Sequence, residues 1–282
     1  MGTQGEATMG GVASADALSG DVIQRNAVVV RGPEGAPFMV FAHGYGTNQS
    51  TWAAVAEHFT AEYRVVLFDY VGSGASDLTA YDEQRYDSYD GYAADLVEVL
   101  DAVGARDAIL VAHSASGMIG ALAAITRPEL FSRLIMVSPS PRYVNDDGYE
   151  GGFSREDVLG LIDAIDANQP SWAASLAPAV TAREDRPDVT DRVRELFTTT
   201  PQRVAKHFAR VVFFSDMRSR LHEIPTPSVI LQSAGDIICP PHIGEYLRDR
   251  IPQSTLVQLE SAGHFVHLTE PELVMGHIRA AL

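Results

Sequence analysis

The sequence predicts an α/β fold, in which helices flank a mostly parallel central sheet. From Val28 onward, short β-branched or apolar runs alternate with longer segments of helical period, and this alternation is typical of parallel strands joined by helices. Several runs are apolar at every position, as a strand covered on both faces requires. With 282 residues, 46% of them hydrophobic, the chain can fill the core of one large domain, which excludes disorder as its main state.

The strands and one core helix can be placed in order along the chain. The predicted strands are residues 38–42, 64–68, 108–112, 134–138, 228–232 and 256–259. A helix is predicted between the second and third strands from apolar residues at helical spacing before Gly104, namely Tyr89, Tyr92, Leu96, Leu100 and Val103. The acidic residues among them are predicted to form an exposed outer face of this helix, and they are Asp90, Asp95, Glu98 and Asp101.

The alternation stops between about Pro141 and Pro225, where helical patterns follow one another without a strand. They cover residues 154–168, 171–181, 189–198 and 202–214, with starts marked by Ser154 and Asp157, by Pro170 and by Pro201. Such an insertion predicts a helical lid over the ligand-binding end of the sheet. We therefore expect a core of residues 21–141 and 226–282, a lid of residues 142–225, and a disordered, glycine-rich leader of residues 1–20.

Charge and composition exclude several classes of partner. The formal net charge is −16, from 37 acidic and 21 basic residues, and so negative a surface repels nucleic acids and anionic membranes. The single cysteine, Cys239, can form no internal disulfide, which favours a cytoplasmic location. Gly72-x-Gly74 lacks the third glycine of a dinucleotide-binding fingerprint, so we interpret it as a structural turn. No metal and no organic cofactor are implied.

Ser114 is the candidate nucleophile. It follows the strand at 108–112 and precedes a helix of small residues, and a serine raised on such a strained turn needs small residues two positions to either side. Ala112 and Ser116 occupy those positions, where the G-x-S-x-G motif has glycines. The match is therefore incomplete, and a serine at an ordinary helix N-terminus is the alternative. The flanking strand and helix favour the nucleophile.

A serine hydroxyl needs a base to accept its proton and a carboxylate to orient that base. Asp236 follows the strand at 228–232, and His264 lies in a loop after the last strand. The order Ser114, Asp236, His264 is that of an α/β-hydrolase triad. The alternatives are Asp216 as the acid, His267 as the base and Cys239 as the nucleophile. Asp216 is not at a strand end, His267 is expected to pack or hydrogen-bond locally, and no such turn precedes Cys239.

The intermediate of acyl transfer also needs two backbone N–H groups directed at its oxygen. Phe41 to Gly46 supply a strand end and a glycine-containing turn, so the N–H groups of Tyr45 and Ala115 are the candidates for this oxyanion hole. We expect His43 and His113 to fix loop geometry without transferring protons.

Several longer segments carry a more specific likeness. They are HGYGTNQSTW from His43, LFDYVGSGASDL from Leu67, YDEQRYDSYDGYAADL from Tyr81, RPELFSRLIMVSPSPRYVNDDGYEGGF from Arg127, FFSDMR from Phe213 and ILQSAGDIICP from Ile230. In these segments the chain resembles the group of α/β-hydrolases that includes the bacterial stress-response regulator RsbQ and the plant karrikin and strigolactone receptors. The likeness extends from about Val22 to the C-terminus.

The resemblance implies an α/β-hydrolase fold with a V-shaped, four-helix lid inserted after the sixth strand, and an apolar pocket above Ser114. The pocket residues assigned by position are Tyr45, Tyr143, Phe153, Trp172, Leu176, Phe213 and Ile237; for the lid aromatics among them, plain lid core is the alternative. Leu176 stands where the plant receptors tend to carry an aromatic residue, which suggests a roomier pocket. Tyr45 stands where Phe is usual, so its hydroxyl is expected to bond a ligand or to narrow the entrance.

These features favour a serine hydrolase of the carboxylesterase or lactonase type, acting on a small, mostly apolar ester or butenolide-like lactone. The first alternative is a ligand sensor with slow or single turnover that regulates a protein such as a PP2C-type phosphatase. The second is a cofactor-free haloperoxidase or C–C hydrolase. The expected lid holds 11 of the 21 basic and 14 of the 37 acidic residues, and its arginine-rich surface is where we expect an acidic protein partner to bind.

Overall fold

A computed structural model describes residues 21–282. The predicted leader, residues 1–20, lies outside the described residues. Within them, no helix is sufficiently long and apolar to cross a membrane.

The core is a seven-stranded sheet, which confirms the predicted fold class. The strands are β1 Val29–Arg31, β2 Phe38–Ala42, β3 Arg64–Leu67, β4 Ala108–His113, β5 Phe131–Val137, β6 Ser228–Gly235 and β7 Ser254–Ala262. Their order across the sheet is β1-β3-β2-β4-β5-β6-β7. The β1–β3 pair is antiparallel, and the other pairs of these seven strands are parallel. The carboxyl ends of β4, β6 and β7 therefore meet at one edge, where ligands bind in such sheets.

Two predictions about the strands need correction. Strand β1 was missed because a three-residue, half-exposed edge strand carries too short a pattern to read. The lid was expected after the sixth strand. In residues 21–282 five strands precede it, so it follows β5.

Helices cover both faces of the sheet. They are α1 Ala53–Glu57, α2 Tyr89–Ala102, α3 Ala115–Thr126, α7 Pro241–Arg248, α8 Val266–Thr269 and α9 Pro271–Ala280. Short 3₁₀ turns occur at Gln49–Trp52, Leu78–Ala80, Pro128–Leu130 and Arg218–Glu223. Helix α3 consists almost entirely of small or apolar residues and is buried along nearly its whole length, so the helix that follows Ser114 is held on several sides.

The inserted segment contains the predicted helices, and we keep the name lid for residues 142–225. Its helices are α4 Arg155–Thr181, α5 Pro187–Thr199 and α6 Gln202–Phe214. Helix α4 is broken at Asn168, whose φ of −163° and ψ of 86° are not helical, so the lid has four helical segments. Ser154 and Asp157 form the expected capping box, and the Asn168 side chain accepts a hydrogen bond from the Ser171 N–H at 3.0 Å.

Asp95 was predicted to lie on an exposed acidic face, and this was wrong. Its side chain is fully buried and accepts hydrogen bonds from Arg85 at 2.9 Å and from the Tyr86 hydroxyl at 3.0 Å. Arg25 lies 3.4 Å from the same carboxylate. Burial raises the pKa of Asp95, and the two arginines oppose that effect. The carboxylate thus ties α2 to the start of the chain that the structure describes.

Candidate active site

Ser114 lies on a tight turn between β4 and α3. Its φ of 55° and ψ of −124° are unfavourable for a residue with a side chain and cost about 1–3 kcal/mol. The turn leaves little room, because a Cβ at Gly44 would lie 2.6 Å from His113 Nδ1 and 3.3 Å from Ser114 Cβ. Such strain is typical of a nucleophile raised at the end of a strand.

His264 joins Ser114 to Asp236. Its Nε2 lies 2.9 Å from Ser114 Oγ, and its Nδ1 lies 2.8 Å from Asp236 Oδ2. The exposed fractions of Ser114, Asp236 and His264 are 4%, 4% and 5%, so water competes little for these hydrogen bonds. The structure brings the three residues together in the order nucleophile, base and acid that activates a serine.

Backbone groups hold both the carboxylate and the histidine of this hydrogen-bonded chain. Asp236 Oδ1 accepts the N–H groups of Ile238 at 2.8 Å and Cys239 at 3.0 Å, which fixes the carboxylate after β6. The backbone N–H of His264 donates to Val180 of α4 at 2.7 Å. Gly263, with φ of 81°, makes that approach possible because a Cβ there would collide with the Thr181 carbonyl. The loop of the base is thereby attached to the lid, a role for Gly263 that we did not predict.

His43 and His113 stabilise the surrounding loops. His43 Nε2 accepts the Tyr70 N–H at 3.2 Å, and its Nδ1 donates to the Gly44 carbonyl at 2.9 Å. His113 Nε2 donates to the His264 carbonyl at 2.9 Å. Burial lowers the pKa of both histidines, so each is uncharged and holds a fixed tautomer.

The three alternative residues occupy other environments. Asp216 forms ion pairs with Arg142 and Arg218, both at 2.7 Å. Cys239 is fully buried and its pKa is raised by burial, which keeps the thiol protonated and unreactive. The Cys239 sulfur lies within 4.8 Å of ligand atoms of Asp236 and His264, the spacing a metal site would need, but those two residues are already engaged with each other. His267, the third, is buried between the rings of Trp52 and His113.

Tyr45 links the loop after β2 to the lid. Its hydroxyl donates to the Ala205 carbonyl of α6 at 3.0 Å, and its ring packs against Phe208 and Phe213 at centroid distances of 5.5 and 6.1 Å. The hydroxyl proton is therefore not available to a ligand, which was one of the two roles expected for this hydroxyl; a narrower entrance was the other. The backbone N–H groups of Tyr45 and Ala115 donate to no other group among the hydrogen bonds of residues 21–282, so both remain available for an oxyanion.

A narrow cavity of about 30 Å³ lies above Ser114. Its lining comprises Tyr45, His113, Ser114, Tyr143, Leu176, Val180, Phe197, Val212, Phe213, Ile238, His264 and Phe265. Most of these side chains are apolar, and the polar groups among them are concentrated around Ser114. Such a lining suits an apolar ligand with one reactive polar group.

Three predicted pocket residues lie elsewhere. Ile237 is 51% exposed, and its neighbour Ile238 lines the cavity instead, because the turn after Asp236 directs consecutive side chains to opposite sides. Phe153 and Trp172 pack on the outer side of lining residues. The Phe153 ring lies 5.7 Å from the Phe213 ring, and the Trp172 ring lies 5.0 Å from the Phe197 ring, between centroids. They support lining residues without lining the cavity. The lining residues Val180, Phe197, Val212 and Phe265 had no motif that could have identified them.

His267 provides a test between the two candidate bases. It is buried between Trp52 and His113, each at a centroid distance of 4.3 Å, and neither ring nitrogen has a hydrogen-bond partner in the described part of the chain. We expect His267→Phe to retain ester turnover and to change the free energy of unfolding at neutral pH by less than about 1.5 kcal/mol, because shape and volume are nearly kept. His264→Phe, by contrast, should abolish turnover.

The same variant should make the protein less sensitive to acid. Burial lowers the pKa of His267 to about 3, so below about pH 6.5 the unfolded chain binds a proton that the folded chain does not. Stability is then lost at about 1.4 kcal/mol per pH unit for this histidine as the pH falls from 6.5. Urea unfolding of wild type and His267→Phe at pH 7.5, 6.5 and 5.5 measures this slope; an equal slope in both proteins would contradict an uncharged His267.

Comparisons with known proteins identify the family. A family model described as "Alpha/beta hydrolase family" matches residues 39–276. The chain belongs to this family. It is 39% identical to a probable esterase of Oryza sativa subsp. japonica, over 88% of this chain and 91% of that protein. It is 36% identical to a strigolactone esterase of Arabidopsis thaliana, over 88% and 93% of the two chains.

Two further comparisons support the same conclusion. The chain is 37% identical to the karrikin insensitive 2 receptor CA of Petunia hybrida, over 86% of this chain and 90% of the receptor. Among solved structures, a hydrolase from Oleispira antarctica superimposes with a TM-score of 0.90 at 36% identity, covering 93% of this chain and 96% of the other. The resemblance to the plant receptors and the prediction of a hydrolytic enzyme are both confirmed.

Proposed function

We propose that this α/β-hydrolase is a serine carboxylesterase or lactonase that acts on a small, mostly apolar ester or butenolide-like lactone. The observation that supports it most is the chain of hydrogen bonds from Ser114 Oγ through His264 to Asp236, at 2.9 and 2.8 Å, beneath an apolar cavity. Ser114 attacks the ester carbonyl, and His264 accepts its proton. Asp236 keeps the Nδ1 of His264 protonated, so Nε2 is free to act as the base.

The remaining steps use backbone groups and water. The N–H groups of Tyr45 and Ala115 bind the oxyanion of the tetrahedral intermediate. His264 returns its proton to the leaving alcohol, and an acyl group stays on Ser114. Water then attacks the acyl-enzyme with His264 as the base again, which releases the acid and restores Ser114.

The lactone class is favoured by the relatives and by the cavity. Relatives at 36–39% identity include proteins named strigolactone esterase and probable esterase, and a more distant one is named 3-oxoadipate enol-lactonase. A cavity lined by Leu176, Val180, Val212 and Phe213 favours an apolar body around the reacting carbonyl.

A ligand sensor is the second candidate, because three relatives are named karrikin insensitive 2 receptors. The lid would then carry the partner surface. Many lid charges are already paired, such as Arg194 with Asp191 at 3.0 Å and Lys206 with Asp166 at 2.6 Å, so a partner would have to compete for them. The single cysteine, which is a free thiol, supports a cytoplasmic location for either function.

Labelling with a fluorophosphonate probe and turnover on ester and butenolide substrates test both candidates. A serine hydrolase gives one adduct, mapped by peptide mass spectrometry to Ser114, and hydrolyses simple esters with many turnovers. One or a few turnovers, ending in a persistent adduct on Ser114 or His264, would favour the sensor. Absence of labelling in the folded protein would refute the assigned nucleophile.

A further inference from the structure

Tyr143 places a second hydroxyl beside the nucleophile. Its side chain is fully buried, lines the cavity, and has its hydroxyl 3.4 Å from Ser114 Oγ. Ser114 Oγ therefore has two polar side-chain neighbours, His264 on one side and Tyr143 on the other. The proposed serine mechanism uses only His264.

The direction of the contact with Tyr143 follows from counting protons. His264 Nδ1 donates to Asp236, so its Nε2 accepts the single hydroxyl proton of Ser114. Tyr143 must then be the donor to Ser114 Oγ. Burial raises the pKa of Tyr143 well above its usual value, so the phenol keeps its proton at neutral pH.

The phenol is held in place from several directions. The Tyr143 carbonyl accepts the Phe153 N–H at 3.1 Å, and a Cβ at Gly151 would collide with the same carbonyl. The Tyr149 hydroxyl donates to the neighbouring Arg142 carbonyl at 2.8 Å. The Tyr143 ring packs on Phe213 at 5.2 Å. The hydroxyl is thus presented to Ser114 by a fixed backbone, as a preorganised donor requires.

We propose that Tyr143 is a further catalytic residue, which donates a hydrogen bond to Ser114 Oγ as that oxygen leaves the acyl-enzyme. This inference rests on the proposed serine mechanism. In deacylation, the C–Oγ bond breaks, its electron pair goes to Oγ, and His264 supplies the proton that Oγ finally carries. Tyr143 keeps its own proton throughout and stabilises the charge that develops on Oγ.

The effect should differ between the two half-reactions. In the acyl-enzyme, Oγ is an ester oxygen and a poor acceptor, so the hydrogen bond strengthens as the C–Oγ bond breaks, and deacylation is accelerated. In the free enzyme, Oγ already accepts this hydrogen bond before attack, so acylation gains little. A resting distance of 3.4 Å is consistent with a contact that tightens only as charge develops.

The test compares wild type with Tyr143→Phe in both half-reactions. Acylation is followed as p-nitrophenolate release with enzyme in excess over p-nitrophenyl acetate. Deacylation is followed by quench-flow and intact mass, as loss of the acetyl-enzyme. One oxyanion-hole donor contributes about 10²–10³-fold, so for this longer contact we expect deacylation to slow about tenfold while acylation changes less than about threefold. Acetyl-enzyme should then accumulate at steady state.

Tyr92→Phe is the matched control, since it removes a buried hydroxyl that has no hydrogen-bond partner among the described residues and does not line the cavity. It should leave both rates as in wild type. Replacing Tyr143 by 3-fluorotyrosine, a more acidic phenol, should accelerate deacylation. This replacement keeps the ring and the hydroxyl, so it tests the role of Tyr143 even where Tyr143→Phe is destabilised. Equal slowing of both steps, or unchanged deacylation, would overturn the role of Tyr143. Failure of the wild type to form any acyl-Ser114 would instead refute the proposed function itself.

Discussion

Ser114→Ala is expected to reduce kcat for p-nitrophenyl acetate by about 10⁶-fold, the loss typical of removing a catalytic serine. Ser114 Oγ is the atom that His264 Nε2 contacts at 2.9 Å. An alanine can keep the turn between β4 and α3 while removing that oxygen. The variant should also lose fluorophosphonate labelling, while its thermal unfolding should show that the fold is retained.

Cys239→Ala is the matched control, because it removes the other candidate nucleophile among the buried residues. Cys239 is fully buried with a raised pKa, so we expect this variant to retain turnover and labelling. If Ser114→Ala kept turnover and the double variant lost it, the thiol would be the nucleophile and Ser114 a structural residue of the turn.

The sequence predicts the sheet and the triad well because their signals are local. A parallel strand covered on both faces is a run of apolar residues, and β2 was predicted with its observed bounds, Phe38–Ala42. Ser114, Asp236 and His264 each follow a strand, and a parallel sheet brings such strand ends to one edge. Their contact therefore follows from topology without knowledge of the lid.

What the sequence missed depends on contacts between distant residues. Asp95 lies on the buried side of α2, and only the arrival of Arg25 and Arg85 makes the burial of its carboxylate tolerable. The choice between Ile237 and Ile238 as a pocket residue depends on the turn that Asp236 stabilises. Likewise, the Tyr45 hydroxyl is bound by a carbonyl 160 positions away. Such pairings leave no period or motif in a single sequence.

Asp236→Asn should lower kcat by about 10⁴-fold with little change in the fold. The Asn side-chain oxygen can still accept the N–H groups of Ile238 and Cys239, as Asp236 Oδ1 does. Its NH₂ group then takes the position of Oδ2, which in wild type lies 2.8 Å from His264 Nδ1. Because NH₂ donates, Nδ1 must accept, and the proton moves to Nε2.

A histidine protonated at Nε2 cannot accept the proton of Ser114, so acylation fails although all three side chains stay in place. Acylation rates of wild type and Asp236→Asn, measured with enzyme in excess over p-nitrophenyl acetate, give the size of the loss. Asp216→Asn is the control, since that carboxylate is paired with Arg142 and Arg218 at the base of the lid. A large loss in Asp216→Asn, with Asp236→Asn nearly active, would transfer the role of the acid to Asp216. A large loss in Asp236→Asn, with Asp216→Asn nearly active, would instead show that the carboxylate after β6 sets the His264 tautomer on which the whole reaction depends.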